Sequence, residues 1–466
     1  MFLISFVLYF VMLITVGLYS YLTQKKGTDF LLGNRTLNFW VTAIATNATD
    51  MSLWLFMGYP AFIYTKGLPG IWTAVGLIIG MILNWHFIAP ALRTATEKLG
   101  ASTITEFFEK RYNDKTGILT LVSAIMSLIF FTLYISAGIV AFGRLFNTIL
   151  ELNYIVSITL GTIIVTLYTF LGGFIAVSLN NFLKGIFILI AVMAVPIIAF
   201  GKAGGVAAIM QAAQQQHISL SLFTNVSAAT FWGIFVGILS WGLSYFGQLH
   251  ILVNFMGIND VREIHKAKYL STAWQIIALG SATITGLIGL AYFKAGSINP
   301  ELIFITLTRD LFSPLWSGFI LCSVLAAGVA TIAIQILLSG STLAHDLYKK
   351  FLHPQANAQQ MTIVTRCALI LVSICSWLLA LNSQEKIYEL VKYAWTGLGC
   401  SFGPLVICSL YAKNITNYGA IAGILVGGTS VLCSSWLGFE TSDPKIPFAL
   451  SLIAIYIASY LTKSKA

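Results

Sequence analysis

Charge is scarce in this chain. Asp, Glu, Lys and Arg make up 9% of its 466 residues, against about 25% in an ordinary soluble domain. No long polar segment stands apart, so a separate soluble domain is excluded. Cysteine is also sparse. Cys322, Cys367, Cys375, Cys400, Cys408 and Cys433 all lie in apolar runs. They show no metal-ligand spacing and no disulfide framework, and read as small buried hydrophobes. There is no HExxH pair, no phosphate loop and no nucleophile motif, so neither an enzyme nor a resident cofactor is expected. The net charge of +10 comes without a Lys- or Arg-rich run, which excludes a nucleic-acid partner. The first 23 residues lack a basic start and a small-x-small cleavage site. They read as a retained span, not a signal peptide.

What is abundant is apolar length. Hydrophobic residues make up 58% of the chain, and apolar runs of about 20 residues, enough to cross a bilayer as a helix, recur from end to end. An all-α membrane protein is expected, with the lipid bilayer as its surroundings. Spans are placed at 2–23, 39–66, 70–92, 116–147, 154–176, 178–201, 227–256, 268–295, 314–345, 362–381, 388–412, 416–438 and 446–462. The count is odd, so the two ends lie on opposite sides. Loops after odd-numbered spans are richer in base, for example at Lys25, Lys26, Arg93, Lys110, Lys349 and Lys350. The richer side is cytoplasmic, which puts the N-terminus outside and the C-terminus inside. Nothing in the pattern specifies an oligomer.

Two spans carry polar interruptions. Span 2 holds Thr46-Asn47-Ala48-Thr49-Asp50-Met51-Ser52 at its middle. Asn, Asp and Ser side chains compete with the helix for backbone hydrogen bonds, so a break is expected there, with Asp50 or Ser52 near the start of the second half-helix. Span 7 holds Ser240-Trp241-Gly242-Leu243-Ser244-Tyr245-Phe246-Gly247-Gln248. Spans 2–6 and 7–11 form two groups of five, and five is odd, so the second group is inverted relative to the first. Interrupted helices at matching positions of inverted halves point to a midplane site in a secondary transporter. The competing readings are a polar helix contact for span 7 and an N-cap role for Asp50. An unpaired charge at the bilayer centre is costly, by about 2.5–3.5 kcal/mol on insertion scales, which favours a functional Asp50.

The run Gly33-Asn34-Arg35-Thr36-Leu37, then Ala48-Thr49-Asp50-Met51-Ser52-Leu53-Trp54, resembles the sodium/solute symporter family. The stretches 130–146, 167–178, 240–252, 325–338 and 392–405 resemble it too, in the same order. The resemblance implies a five-plus-five inverted-repeat, LeuT-like core with two broken helices, set in a cell membrane, the inner one in a bacterium. The chain then divides into 1–37 (a peripheral first helix and cytoplasmic loop), 38–202 (first repeat), 203–226 (an extracytoplasmic loop), 227–413 (second repeat) and 414–466 (two peripheral helices).

The family couples sodium to solute uptake. Carried over by position, the ion would meet the carbonyls of Ala48, Met51 and Ala327, the hydroxyl of Thr331 and a second hydroxyl from the residue before it. That residue is Ala330 here. Asn181 stands where the family has an aspartate near the ion, and Lys184 follows three residues on, on the same helix face. A hydroxyl and a carboxylate are missing, and an ammonium has appeared. The expectation is that Lys184 takes the ion's place and that transport is sodium-independent or proton-coupled. The alternatives are a Lys184 that snorkels to the interface beside a modified but working sodium site, and a transporter-like solute sensor.

Asp50, Ser52 and Arg35 match the family's coupling residues; an arginine at Arg35 also serves as an interfacial anchor. The solute pocket maps onto Trp54, Tyr134, Trp241, Tyr245 and Gln248, with Leu53 and Leu249 as departures that reshape it. Aromatic faces beside freed N–H groups suit a small zwitterion, so a small amino acid is the expected solute, proline first. Any single aromatic among 32 Phe and 19 Tyr would otherwise read as core packing.

Overall fold

Backbone polar groups at membrane depth must be satisfied inside the protein, which leaves helices as the building unit of a chain with this hydropathy. The computed structural model describes residues 4–9, 11, 12, 15, 32, 35–171, 174–223, 227–382, 385–434 and 444–463. The described residues are helical with no strand element. The helices are α1 (Phe39–Met51), α2 (Gly58–Lys66), α3 (Leu68–Lys98), α4 (Ile104–Tyr112), α5 (Ile118–Leu150), α6 (Tyr154–Leu171), α7 (Phe174–Lys202) and α8 (Gly205–Gln215). They continue as α9 (Ala228–Ser244), α10 (Leu249–Gly257), α11 (Ile264–Tyr292), α12 (Ile303–Leu311), α13 (Pro314–Ser341), α14 (Ala358–Ala380), α15 (Ile387–Tyr411), α16 (Asn417–Leu432) and α17 (Lys445–Thr462).

Among the described residues, nine helices are long and apolar enough to cross a membrane, and two shorter apolar helices lie at Tyr154–Phe170 and Asn417–Leu432. Spans 3 to 13 of the sequence reading each coincide with helix. Most of span 1 lies outside the described residues, as do Lys25, Lys26, Gly33 and Asn34. Its residue Ser5 donates to the Leu315 carbonyl at 3.1 Å, which sets that segment against α13. Three helices were not read from the sequence: α4, α8 and α12. The segment 203–226, expected as a loop, contains α8, whose Ile209 and Ala213 are buried in a segment that packs against α11. Three of the six cysteines, Cys367, Cys375 and Cys433, are exposed, against expectation. A thiol is apolar enough to face lipid as readily as core.

Span 2 breaks at Ser52. Asn38 caps α1 by accepting from Val41 N at 2.9 Å. Thr42, Thr46 and Thr49 return their hydroxyls to carbonyls of the same helix, and Asn47 exchanges hydrogen bonds with Ser271 of α11. The polar side chains up to Thr49 are therefore satisfied by α1's own backbone, its N-cap and α11. Ser52 takes φ +49°, a left-handed conformation that ends α1, and its Oγ accepts from Trp54 N at 3.1 Å. Asp50 thus sits in the last turn of α1. It neither opens the second half-helix nor caps it, which corrects that part of the sequence reading. The two ends are not equivalent: α1 is enclosed by α7, α11 and α13, while α2 leans on α11.

Span 7 breaks between α9 and α10. Tyr245–Gly247 form a tight 3-10 turn and Gln248 is extended. The Gln248 amide donates to the carbonyls of Ser244 and Trp395, both at 2.9 Å, replacing hydrogen bonds that the break removes. Gly247 lies flat against α15. A Cβ there would stand 2.4 Å from the Leu398 carbonyl oxygen and 2.7 Å from Gly403 N. Both are backbone atoms that cannot step aside, so Gly247→Ala is expected to abolish transport and to lower the detergent melting temperature, read by fluorescence scanning. Gly76 and Gly80 of α3 pack face to face with α9, as expected of small-xxx-small spacing. A Cβ added at Gly233 or Gly237 would meet no neighbouring segment within 4 Å, and the two line an outer cavity with Trp72 and Trp241.

Candidate functional site

The two breaks meet. The Tyr245 hydroxyl, from the turn in span 7, donates to Asp50 Oδ2 at the end of α1 across 2.5 Å. Gln275 of α11 donates to the same phenol oxygen at 2.8 Å. Trp395 of α15 stands edge-on to Tyr245, with centroids 5.0 Å apart. Asp50 is 5% exposed and Tyr245 fully buried, so this carboxylate has a donor but no counter-charge among the described ion pairs. A hydrogen bond to a buried charge is worth about 1.5–3 kcal/mol, and here it joins residues 195 positions apart.

Beside this junction lies a narrow cleft. Asp50, Met51, Ser52, Trp54, Tyr134 and Trp241 line one part of it. Leu53, Gly328, Thr331 and Gln335 line the adjoining part. Trp54 stacks on Tyr59 at 5.0 Å and lies 5.8 Å from Trp241 and 6.1 Å from Tyr388. Tyr388 in turn stacks on Phe62 at 4.3 Å. These rings roof the cleft on the side away from the base-rich loops. Several buried polar atoms around it have no hydrogen-bond partner among the described residues: Trp54 Nε1, Trp395 Nε1, Gln248 Oε1 and both amide atoms of Gln335. Buried polar groups are normally paired, so this set makes the cleft the candidate place for a polar guest.

Four of the five expected pocket residues converge here: Trp54, Tyr134, Trp241 and Tyr245. Gln248 is adjacent but spends its amide nitrogen on the backbone. Leu53 fills the cleft from below, and a Cβ on Gly328 would meet its Cδ1 at 2.7 Å. Leu249 is not in the aromatic cluster; it lines a separate cavity toward the base-rich end. Tyr59, Gln275, Tyr388 and Trp395 were missed. Trp395 lies inside the motif at 392–405 and could have been found there. The other three carry no local signal.

The candidate ion ligands lie on α1 and α13, with α7 bridging them. Thr331 Oγ1 donates to the Ala327 carbonyl at 3.3 Å. Asn181 Nδ2 lies 3.5 Å from the Ala330 carbonyl. Gly185 faces Ala48, where an added Cβ would come within 3.4 Å of the Ala48 side chain. Met51 lies at the end of α1, beside the break. Lys184 is 3% exposed, so it does not reach the interface as a snorkelling lysine would. Its Nζ stands 4.1 Å from the centre of the Tyr168 ring and has no hydrogen-bond acceptor among the described residues. Asn181 and Lys184 therefore share a face yet meet different neighbours, α13 and α6.

At the base-rich end, Arg35 donates to Thr96 Oγ1 at 3.1 Å and to the carbonyls of Met256 and Ala101, both at 2.8 Å. A backbone bridge pairs Leu37 with Ile258 beside it, and Arg93 Nε donates to the Ile258 carbonyl at 2.7 Å. The end of α10 is thus clamped to α3 and to the chain before α1. At the opposite end Arg144 pairs with Glu301, whose other oxygen accepts from Ile387 N at 2.7 Å. Removing one partner of a largely buried pair leaves the other charge uncompensated. Glu301→Gln is expected to destabilise the protein by about 1–3 kcal/mol, read as a lower melting temperature.

A family model described as the sodium:solute symporter family matches residues 30–427. The high-affinity proline transporter PutP of Bacillus subtilis is 40% identical over 460 residues, covering 97% of this chain and 96% of its own. The sodium/proline symporter of Staphylococcus aureus is 36% identical over 478 residues, covering 99% and 92%. In fold, a sodium-coupled sialic acid symporter in a substrate-bound, outward-open state superimposes with a TM-score of 0.82 at 18% identity, covering 100% and 98%. The all-helical, twice-broken architecture is therefore the LeuT-like fold of a multi-pass membrane protein, and the chain belongs to the sodium:solute symporter family.

Proposed function

We propose that the chain takes up a small amino acid, proline first, by alternating access across a cell membrane, with its N-terminus outside. The observation that carries the carrier reading is the direct Asp50–Tyr245 contact between the two helix breaks. A junction between half-helices at mid-depth lets one bundle rock against the other while a solute sits beside it. The aromatic walls and unpartnered donors suit a compact zwitterion, and the relatives named above are proline transporters.

We further propose that Lys184 supplies the positive charge that sodium supplies elsewhere in the family, so that uptake is sodium-independent or proton-coupled. Three features support this: Ala330 brings no hydroxyl, Asn181 brings no charge, and the Lys184 ammonium is buried without an acceptor. The ammonium rests on Tyr168, on the α6 side of α7, so it does not fill the shell of the ligand carbonyls. A second reading, an ordinary sodium/proline symporter, is favoured by the retained Thr331 hydroxyl and its Ala327 neighbour. Purified protein in liposomes, given labelled proline under an imposed sodium or proton gradient, separates the two. The first reading expects uptake without sodium that responds to a proton gradient. Uptake strictly dependent on sodium would overturn it.

A further inference from the structure

We propose that a second, cation-accepting site lies beneath the solute cleft, built around Asp346 and opening toward the base-rich end. A small cavity there is lined by Ser102, Thr103, Thr105, Leu249, Ser341 and Thr342, among others. Leu249 begins α10 directly after the break, which sets the cavity next to the interrupted span 7. Asp346 lies in the wide-turned continuation of α13, Thr342–Leu352, and is 6% exposed. Thr103 Oγ1 donates to Asp346 Oδ1 at 3.3 Å, and the Thr105 hydroxyl faces the same carboxylate. Oδ2 is sealed from solvent with no hydrogen-bond partner among the described residues, and so is Ser341 Oγ on the cavity wall.

The local charges do not balance on Asp346. Two other acids face it, Glu106 and Glu109. Glu106 holds Lys110 at 2.6 Å and Glu109 holds Lys350 at 2.7 Å. Lys350 also donates to Thr120 Oγ1 at 2.6 Å. Lys110 and Lys350 are thus committed to other carboxylates, and Asp346 forms no ion pair among the described residues. A buried carboxylate without a counter-charge is costly, and the polar side chains of this region, Thr103, Thr105 and Ser341, offer hydroxyl oxygens among apolar walls from Ile104, Phe131 and Leu338. Oxygen donors with one negative charge suit a monovalent cationic centre. That centre is either the ammonium of the departing solute or an inorganic cation. This rests on the carrier reading and its orientation, but not on the identity of the driving ion.

The test compares right-side-out and inside-out vesicles from cells making the full chain, with labelled proline as probe. For Asp346→Asn the expected result is an affinity about tenfold weaker at the base-rich face, the loss of one charge-assisted contact, with less than about a twofold change at the opposite face. Ser341→Ala and Thr105→Val are expected to shift the same affinity in the same direction by a smaller factor, and they carry the test if Asp346→Asn fails to reach the membrane. If the occupant is an inorganic cation, proline affinity holds instead, and Asp346→Asn removes the response of flux to sodium replaced by choline at that face. Flux in the wild type with neither effect overturns the site and leaves the carrier intact. No flux in the wild type takes down the carrier reading, and this site with it.

Discussion

Replacing Asp50 with asparagine is expected to slow solute uptake by roughly a hundredfold while the protein still reaches the membrane at its normal level. The substitution is nearly isosteric, so α1 and its packing against α7, α11 and α13 should persist. What changes is the junction. The Tyr245 phenol now donates to a carboxylate, and such a contact is worth about 1.5–3 kcal/mol, or roughly 10- to 150-fold in an equilibrium. A neutral amide holds it less strongly, and the charge beside Ser52 and Trp54 is lost as well. Tyr245→Phe is expected to do comparable harm from the other side, because it strips the buried carboxylate of its donor and the Gln275 amide of its acceptor. If both act through one contact, the double variant should be little worse than either single one. Initial uptake rates in liposomes, normalised to protein abundance, make the comparison. Near-wild-type rates in Asp50→Asn, or losses that simply multiply, would remove the junction from the mechanism.

The second large effect concerns the driving ion. Lys184→Gln is expected to cut uptake at least about tenfold, since it removes the buried ammonium proposed to stand in for the ion's charge. The combined variant Asn181→Asp, Ala330→Ser, Lys184→Gln restores a carboxylate, a hydroxyl and a neutral neighbour. Oxygen ligands with a negative charge are what a hard cation needs. This variant is therefore expected to recover uptake only in sodium, with a rate that rises about tenfold or more across a sodium titration. Asn181 already reaches toward the Ala330 carbonyl, so an aspartate at that position lies within reach of the site. A Lys184→Gln protein that transports normally, with an unchanged ion requirement, would return Lys184 to a structural role on the Tyr168 ring.

Features set by short-range interactions were legible in the sequence, and those set by long-range ones were not. Both breaks were legible because Asn47, Asp50 and Ser52, or Gly242, Ser244 and Gly247, weaken a helix by local chemistry. Trp54, Tyr134, Trp241 and Tyr245 were legible because they stand beside those breaks or in a family motif. Helices α4 and α8 were missed because short amphipathic segments between spans show no hydropathy peak. Lys184 was expected to take the ion's place, with snorkelling as the alternative, since its position along α7 does not say which neighbour it faces.

By itself, the sequence determined that this is a multi-span helical membrane protein, where its helices fail, and which family motifs it carries. Those properties depend on residues a few positions apart, through helix propensity and hydropathy. Only the tertiary structure decided that Tyr245 bonds Asp50, that Tyr388 roofs the cleft, that Leu249 belongs to a separate chamber, and that Asp346 has no ion-pair partner among the described residues. Those are pairings between segments far apart in the chain, set by how buried polar groups find partners once the helices have packed.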